Sequence, residues 1–377
     1  LAGVGVIFYV MLALRARLRE AGWFQAKGIP EPNMADLLDL VALGTVADVA
    51  VLDYNNRILV EQGLRRIRAG RCCQGILALL RDAGRDPRRV VAADLGYAVG
   101  PRLNAAGRLE DMSLGIACLL ADDPEQAAAM AAELGELNRQ RREIEGAMQQ
   151  EALALLEELE RDAEGLPPGL CLMDPGWHQG VIGILASRIK ERFHRPVIAF
   201  APAGEGVLKG SARSIQGLHI RDLLERIANR HPGLITRFGG HAMAAGLSLA
   251  VEDFPRFEAA FTAAVAEELS DEMLTGELLT DGELAADEHD LRIAEILREA
   301  GPWGQGFPEP LFDGEFEVAQ SQIVGGRHVK LTVCHPHSRQ RLEAIAFNGV
   351  DYGWQEIRRA VRMVYRLDVK EFRGGRS

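Results

Sequence analysis

Apolar positions along the chain fall into distinct patterns. Residues 1–14 are almost continuously apolar and predict a buried helix. Residues 35–43 carry apolar positions at helical spacing after Pro32 and Asn33. The run Gly44-Thr45-Val46-Ala47-Asp48-Val49 reads as a break that leaves Asp48 just past a helix. The first 120 residues thus read as mostly helical with short strands. From 124 to 164 the chain is rich in Ala, Glu, Leu, Gln and Arg, with apolar residues three and four apart, and predicts one long amphipathic helix. Gly165, Pro167 and Pro168 end it. Its length and polarity suit a strut between domains, and its heptads are not sustained enough to specify a coiled coil.

Beyond the long helix the period changes twice. Strands at 170–173 and 196–200 alternate with helices at 181–193, 218–230 and 254–269, the pattern of an α/β domain of roughly 100 residues. From 313 onward, short alternating runs at 316–318, 328–333, 343–347 and 361–372 predict strands, with a helical turn near 354–356. A small antiparallel β-barrel fits them.

Composition narrows the class. The 377 residues accommodate two or three domains, and 47% hydrophobic with 26% charged residues is the balance of a soluble globular protein. No apolar run reaches the ~18–20 residues that span a bilayer. Residues 1–14 lack a basic leader and a cleavage-type end, which argues against a signal peptide. The chain opens on Leu1 in a core-like helix and stops in a β region, so it reads as a piece of a longer protein. Five cysteines without CxxC spacing read as reduced thiols of a cytoplasmic protein.

The net charge is −11, but its distribution matters more. Residues 251–300 hold fifteen Asp and Glu against three Arg, a net of −12. Residues 188–241 hold ten Lys and Arg against four acids, and 356–377 seven against three. Two basic regions separated by an acidic one fit a groove for a polyanion, or two ordinary solvated faces.

Four short stretches carry candidate chemistry. Gly239 and Gly240 precede His241 and remove every side chain beside an imidazole, so backbone can approach a ligand. Upstream, Lys209-Gly210-Ser211-Ala212-Arg213-Ser214 supplies hydroxyls and a guanidinium, which suit phosphate. Pro101-Arg102-Leu103-Asn104-Ala105-Ala106-Gly107-Arg108 reads as a non-helical stretch with two arginine forks, fitting either a surface loop or anion recognition. His178, in Trp177-His178-Gln179-Gly180, follows a strand and opens a helix, where free N–H groups favour an anion; a structural histidine is the other reading. Asp48 alone reads as a cap or turn residue, with no second ligand at metal spacing.

Together these stretches, with Leu43-Gly44-Thr45-Val46-Ala47-Asp48 and the opening Leu1-Ala2-Gly3-Val4-Gly5-Val6, resemble the RecJ family of the DHH phosphoesterase superfamily over essentially the full chain. The resemblance implies an α/β protein. Residues 1–125 correspond to the C-terminal part of a DHH domain, 126–165 to an interdomain helix, 166–268 to a DHHA1 domain, and 269–377 to an acidic connector and a truncated OB-type barrel. It implies 5′-to-3′ hydrolysis of single-stranded DNA to mononucleotides in repair and recombination, with two Mn²⁺ or Mg²⁺ ions. By position, Asp48 would be a catalytic metal ligand. Arg102, Asn104, Arg108, His178, Ser211, Arg213, Ser214, Gly239, Gly240 and His241 would hold DNA phosphate. Lys330, Arg366, Lys370 and Arg373 would be DNA contacts of the barrel. Single-strand-binding protein and a RecQ-type helicase are the partners implied.

The departures bear on activity. The Asp-His-His motif itself is not in this sequence, and one expected metal ligand remains, so the chain alone is expected to be inactive. Val51 replaces a proline common in the family, and Lys370 stands where asparagine is expected. Two other readings stay open: a phosphodiesterase acting on short RNA or cyclic dinucleotides, against which the barrel speaks, and a non-catalytic single-strand clamp.

Overall fold

The computed structural model describes residues 1–109, 111–162, 166–204, 206–274, 277–338, 340–357, 359–369, 371–372 and 375–376. The chain divides into two compact units, Leu1–Gly100 with Leu278–Ser377, and Pro101–Glu277.

In the first unit, residues 1–100 are helical, with no strand among the described residues, so the short strands expected there are not formed. Helices span Gly3–Glu20, Leu38–Ala47, Tyr54–Arg68 and Gln74–Asp82. The first is not buried as the apolar run predicts. It seats Phe8 against Met34 and Val41, while Val6, Ile7, Val10 and Leu14 remain about half exposed. Nor does Gly44 break the second helix. A Cβ there would lie 2.7 Å from Val4 Cγ1, so the glycine admits a neighbouring helix rather than ending its own. The helix runs on to Ala47, and Asp48 is its exposed C-cap.

The later part of this unit is a four-stranded antiparallel sheet, the OB-like module. Following the numbering of the whole chain, its strands are β6 (Phe312–Val324), β7 (His328–Cys334), β8 (Arg341–Ala346) and β9 (Ala360–Tyr365), in the order β8-β7-β6-β9. A bulge between Val318 and Gln320 bends β6 so that it pairs with both β7 and β9. Phe316, Val329, Leu331, Val333 and Met363 form the core. The expected last strand over 361–372 is interrupted. It ends at Tyr365, the Asp368 carboxylate accepts from the Val369 amide, and Glu371–Phe372 pairs with Gly375–Arg376 instead.

His289 ties this sheet to the preceding segment. It is 4% exposed, and its Nδ1 donates to Ala285 O at 3.0 Å, which makes Nε2 the acceptor for the Tyr365 hydroxyl at 2.7 Å. Burial pushes its pKa down, so the folded state keeps the ring neutral. The unfolded chain protonates it near pH ~6.5. The stability it contributes is therefore complete above that pH and is lost as pH falls toward the depressed folded value, by at most ~1.4 kcal/mol per pH unit. Thermal melts from pH 8 to 5 should show a shallower acid loss for His289→Gln than for the native chain; equal slopes would contradict this account.

The second unit holds the long helix Pro124–Asp162 and a five-stranded sheet. Its strands are β1 (Leu170–Met173), β2 (Val197–Pro202), β3 (Val207–Arg213), β4 (Arg237–Gly240) and β5 (Ala244–Ala250), ordered β1-β2-β3-β5-β4. Only β1 and β2 are parallel, joined through the helix Ile182–Phe193, and every other pairing is antiparallel. One face is covered throughout by the helices Ile220–Arg230 and Phe254–Glu268, over Ile198, Phe200, Leu208, Ala212, Leu247 and Leu249. On the other face, Ile182, Leu185, Ala186 and Ile189 cover Leu170, Leu172, Val197, Ala199 and Ala201, with Met148 and Ala152 of the long helix. The apolar cover stops at β2; beyond it the helix reaches only the Ser211 and Arg213 end of β3.

Candidate functional site

Where the second layer of helices stops, three strands present a bare polar face. Alternation along β3 buries Leu208, Gly210 and Ala212 and leaves Lys209, Ser211 and Arg213 on the open side. The register continues the pattern across the sheet. Ser211 pairs with Gly246 and Gly246 with Gly239, while Lys209 pairs with Ser248 and Ser248 with Arg237. A floor of Ser211, Gly246 and Gly239 thus lies beside a row of Lys209, Ser248 and Arg237. The resulting cleft, of about 880 Å³, is walled by Arg108, His178, Gln179 and Gly180.

Arg213 is the fixed point of the cleft. Its Nε donates to Ser187 Oγ at 3.1 Å, and its Nη1 donates to Ser211 Oγ at 3.1 Å and Ala212 O at 2.8 Å. Ser187 in turn donates to Gly183 O at 3.1 Å, so the guanidinium is held from the helix as well as the strand. No protein acceptor is recorded for Nη2 among the described residues. Gly183 makes the arrangement possible, because a Cβ there would lie 2.9 Å from Nη2 and 3.0 Å from Ser211 Oγ. His178 Nδ1 accepts from the Gly180 amide at 3.1 Å, which leaves Nε2 as the protonated nitrogen of the neutral ring, a donor at the cleft wall.

The electrostatics favour an anion. Among the described residues the lining includes Arg108, Lys209, Arg213 and Arg237 and no Asp or Glu. Burial lowers the Arg213 pKa, and the nearby Arg108 charge lowers it further. Burial, and the like charges of Arg108 and Arg188, also act on Arg141, whose Nη1 lies 3.0 Å from the buried Glu145. Arg188 shares that carboxylate at 3.2 Å. Arg141 and Arg188 are thus partly neutralised, whereas Arg108 and Arg213, close together with no carboxylate partner among the described residues, gain most from a polyanionic ligand.

The Gly239, Gly240 and His241 segment forms the tight end of the β4–β5 hairpin, closed by the His241 amide donating to Ala244 O at 2.8 Å. Gly240 has φ +151°, and a Cβ on it would lie 2.4 Å from Ala244 O, so only glycine fits. The His241 ring is exposed at the end of this hairpin.

The structure thus places Arg108, His178, Ser211 and Arg213 in the cleft and sets Gly239 beside Gly246 of its floor, while Gly240 and His241 lie at the hairpin end and do not line it. Others fall elsewhere. The 101–108 stretch is helical, not a loop, within the helix Gly100–Leu109: Pro101 sits in its first turn, where proline is tolerated, and the burial of Leu103, Ala105 and Ala106 favours the helix. Arg102 is half-buried on it and Asn104 exposed, and neither lines the cleft. Ser214 lies past the end of β3, where alternation ceases. It is 1% exposed and its hydroxyl donates to Leu218 O at 2.7 Å, so it has nothing to offer a ligand. In the other unit, Lys330 pairs with Glu343 at 2.6 Å and Arg366 with Glu309 at 3.6 Å, surface pairs worth no more than about 1 kcal/mol. Lys370 and Arg373 lie outside the described residues. The cleft residues not singled out from sequence are Gln179, Lys209, Arg237 and Ser248, with Ser187 behind Arg213. Gln179 and Lys209 lay in marked stretches, beside His178 and within the Ser211 run.

Asp48 is exposed, and among the described residues no three His, Cys, Asp or Glu side chains come together as metal ligands. The residues present do not fit a metal pair. No helix among the described residues is long and apolar enough to cross a membrane.

Residues 167–267 match the DHHA1 domain family and 280–377 the RecJ OB domain family. The whole chain is 60% identical to the single-stranded-DNA-specific exonuclease RecJ of Dickeya dadantii and 58% identical to that of Escherichia coli, and spans 66% of the length of each. It aligns with crystal structures of Thermus thermophilus RecJ in complex with Mg²⁺ (TM-score 0.75, 31% identity) and with Mn²⁺ (0.73, 30%). These superpositions cover 94% of this chain and 52% and 50% of those chains. By the identity across its full length and the paired DHHA1 and OB matches, the chain belongs to the RecJ family.

Proposed function

We propose that this chain is the strand-holding part of a 5′-to-3′ single-stranded-DNA exonuclease, and that its cleft takes backbone phosphates. The observation that carries this reading is the open face of β3, β5 and β4, with three cations faced by Arg108, two hydroxyls, no carboxylate among the described lining residues and a floor of bare backbone. Such a surface grips charge and leaves bases unread, as a nuclease indifferent to sequence requires. Residues 1–125 would be the C-terminal part of the DHH domain, 126–165 the connecting helix, 166–268 the DHHA1 domain and 269–377 the connector and OB module. Hydrolysis by two Mn²⁺ or Mg²⁺ ions would belong to the whole protein, with Asp48 contributing one carboxylate.

The test is a salt titration of binding to a 5′-phosphorylated oligothymidylate. Each neutralised phosphate contributes about −0.7 to the slope of log K against log salt for a single strand, so two or three contacts give roughly −1.4 to −2. No measurable affinity at low salt would overturn the reading.

A further inference from the structure

The cleft is longer than one phosphate needs, and its cations lie at two ends. At one end Arg213 of β3 is held by Ser187 and Ser211, with Nη2 lacking a recorded protein acceptor among the described residues. At the other, Lys209 and Arg237 flank Ser248 in one row of three adjacent strands. The Cα positions of Lys209 and Arg213 are four strand steps apart, about 13 Å. Lys209 touches only the neutral Gln179, 3.2 Å from its Oε1, and Arg237 has no recorded hydrogen bond or ion pair among the described residues. Gly246 and Gly239 lie between the two ends, and an added Cβ would meet nothing within 3.9 Å at Gly246 and nothing within 4 Å at Gly239. The floor is therefore open above its backbone, and both ends are charged.

Resting on the phosphate-cleft reading, we propose that Lys209 and Arg237 form a second phosphate clamp that engages a later phosphate of the strand whose first phosphate Arg213 holds. A clamp that takes a later phosphate acts only on a chain of nucleotides. It makes grip depend on strand length, favouring oligonucleotides over the mononucleotide that hydrolysis leaves behind. Lys209 and Arg237 are exposed, with no packing role, so their replacement leaves the fold intact.

The experiment compares affinities of the native chain, K209A/R237A, K209R/R237K and R213A. The ligands are thymidine 5′-monophosphate and 5′-phosphorylated oligothymidylates of two, three, four and six nucleotides. The native chain should gain at least tenfold between the monophosphate and the longer strands. K209A/R237A should lose that gain, weakening the longer strands at least tenfold more than the monophosphate, with a salt slope on them shallower by about 0.7. K209R/R237K should keep the gain, and R213A should lose affinity at every length. A gain that survives in K209A/R237A, or an equal loss at all lengths including the monophosphate, overturns the second clamp and leaves the phosphate cleft standing. A native chain that binds none of the ligands refutes both.

Discussion

Arg213→Ala should lower affinity for a 5′-phosphorylated oligonucleotide about 100-fold at low salt while leaving the melting temperature nearly unchanged. A charge-assisted hydrogen bond contributes roughly 1.5–3 kcal/mol, and a guanidinium already fixed by Ser187 and Ser211 spends no further ordering entropy on the ligand. Both serines are half-buried, and Ser187 keeps its bond to Gly183 O, so truncation strands no buried donor. Arg213→Lys should recover less than a tenth of the lost affinity. A compact ammonium cannot reach both serine hydroxyls and still present a free donor. Fluorescence anisotropy with parallel thermal melts checks this. An Arg213→Ala chain that binds within threefold of native would remove Arg213 from the site.

The 377-residue chain by itself should release no mononucleotides from single-stranded DNA at millimolar Mn²⁺. Metal-assisted phosphodiester hydrolysis draws several kcal/mol from cations held by multiple ligands, about a thousandfold or more in rate. Asp48 offers one exposed carboxylate at a helix C-cap, and no ligand cluster accompanies it among the described residues. A lone surface carboxylate binds a hard divalent cation weakly, because the ion retains its water. Product analysis on purified chain, with Asp48→Ala as control, is decisive. Mn²⁺-dependent mononucleotide release that Asp48→Ala abolishes would show a metal site built from residues of this chain after all.

Much of this was legible in the residues, and what was not has identifiable causes. Ser211 and Arg213 are conspicuous because small residues alternate with them, and that alternation is the strand that aims them into the cleft. Ser214 fails by the same logic, since the strand ends one residue earlier and the side chain turns inward. Pro101, Asn104 and Gly107 disguise a helix that tertiary burial of Leu103, Ala105 and Ala106 selects. Gly44 imitates a helix end because sequence does not show that Val4 lies against it. Arg237 stands 28 residues from Lys209 in sequence, and only the pairing of both strands to β5 brings them into one row through Ser248. Periodicity reveals which face a residue takes, but not its neighbour across the sheet.

β4 is also the outermost strand of its sheet, only four residues long. A free strand edge invites pairing with a second chain, and short length and a charged side chain are among the usual defences. The four-residue β4 has both, the charge being that of Arg237. The charge that would meet a ligand thus also keeps molecules apart. Exchanging Arg237 for an apolar β-branched residue would turn a soluble groove into a template for edge-to-edge aggregation, so ligand grip and colloidal stability are constrained by the same side chain.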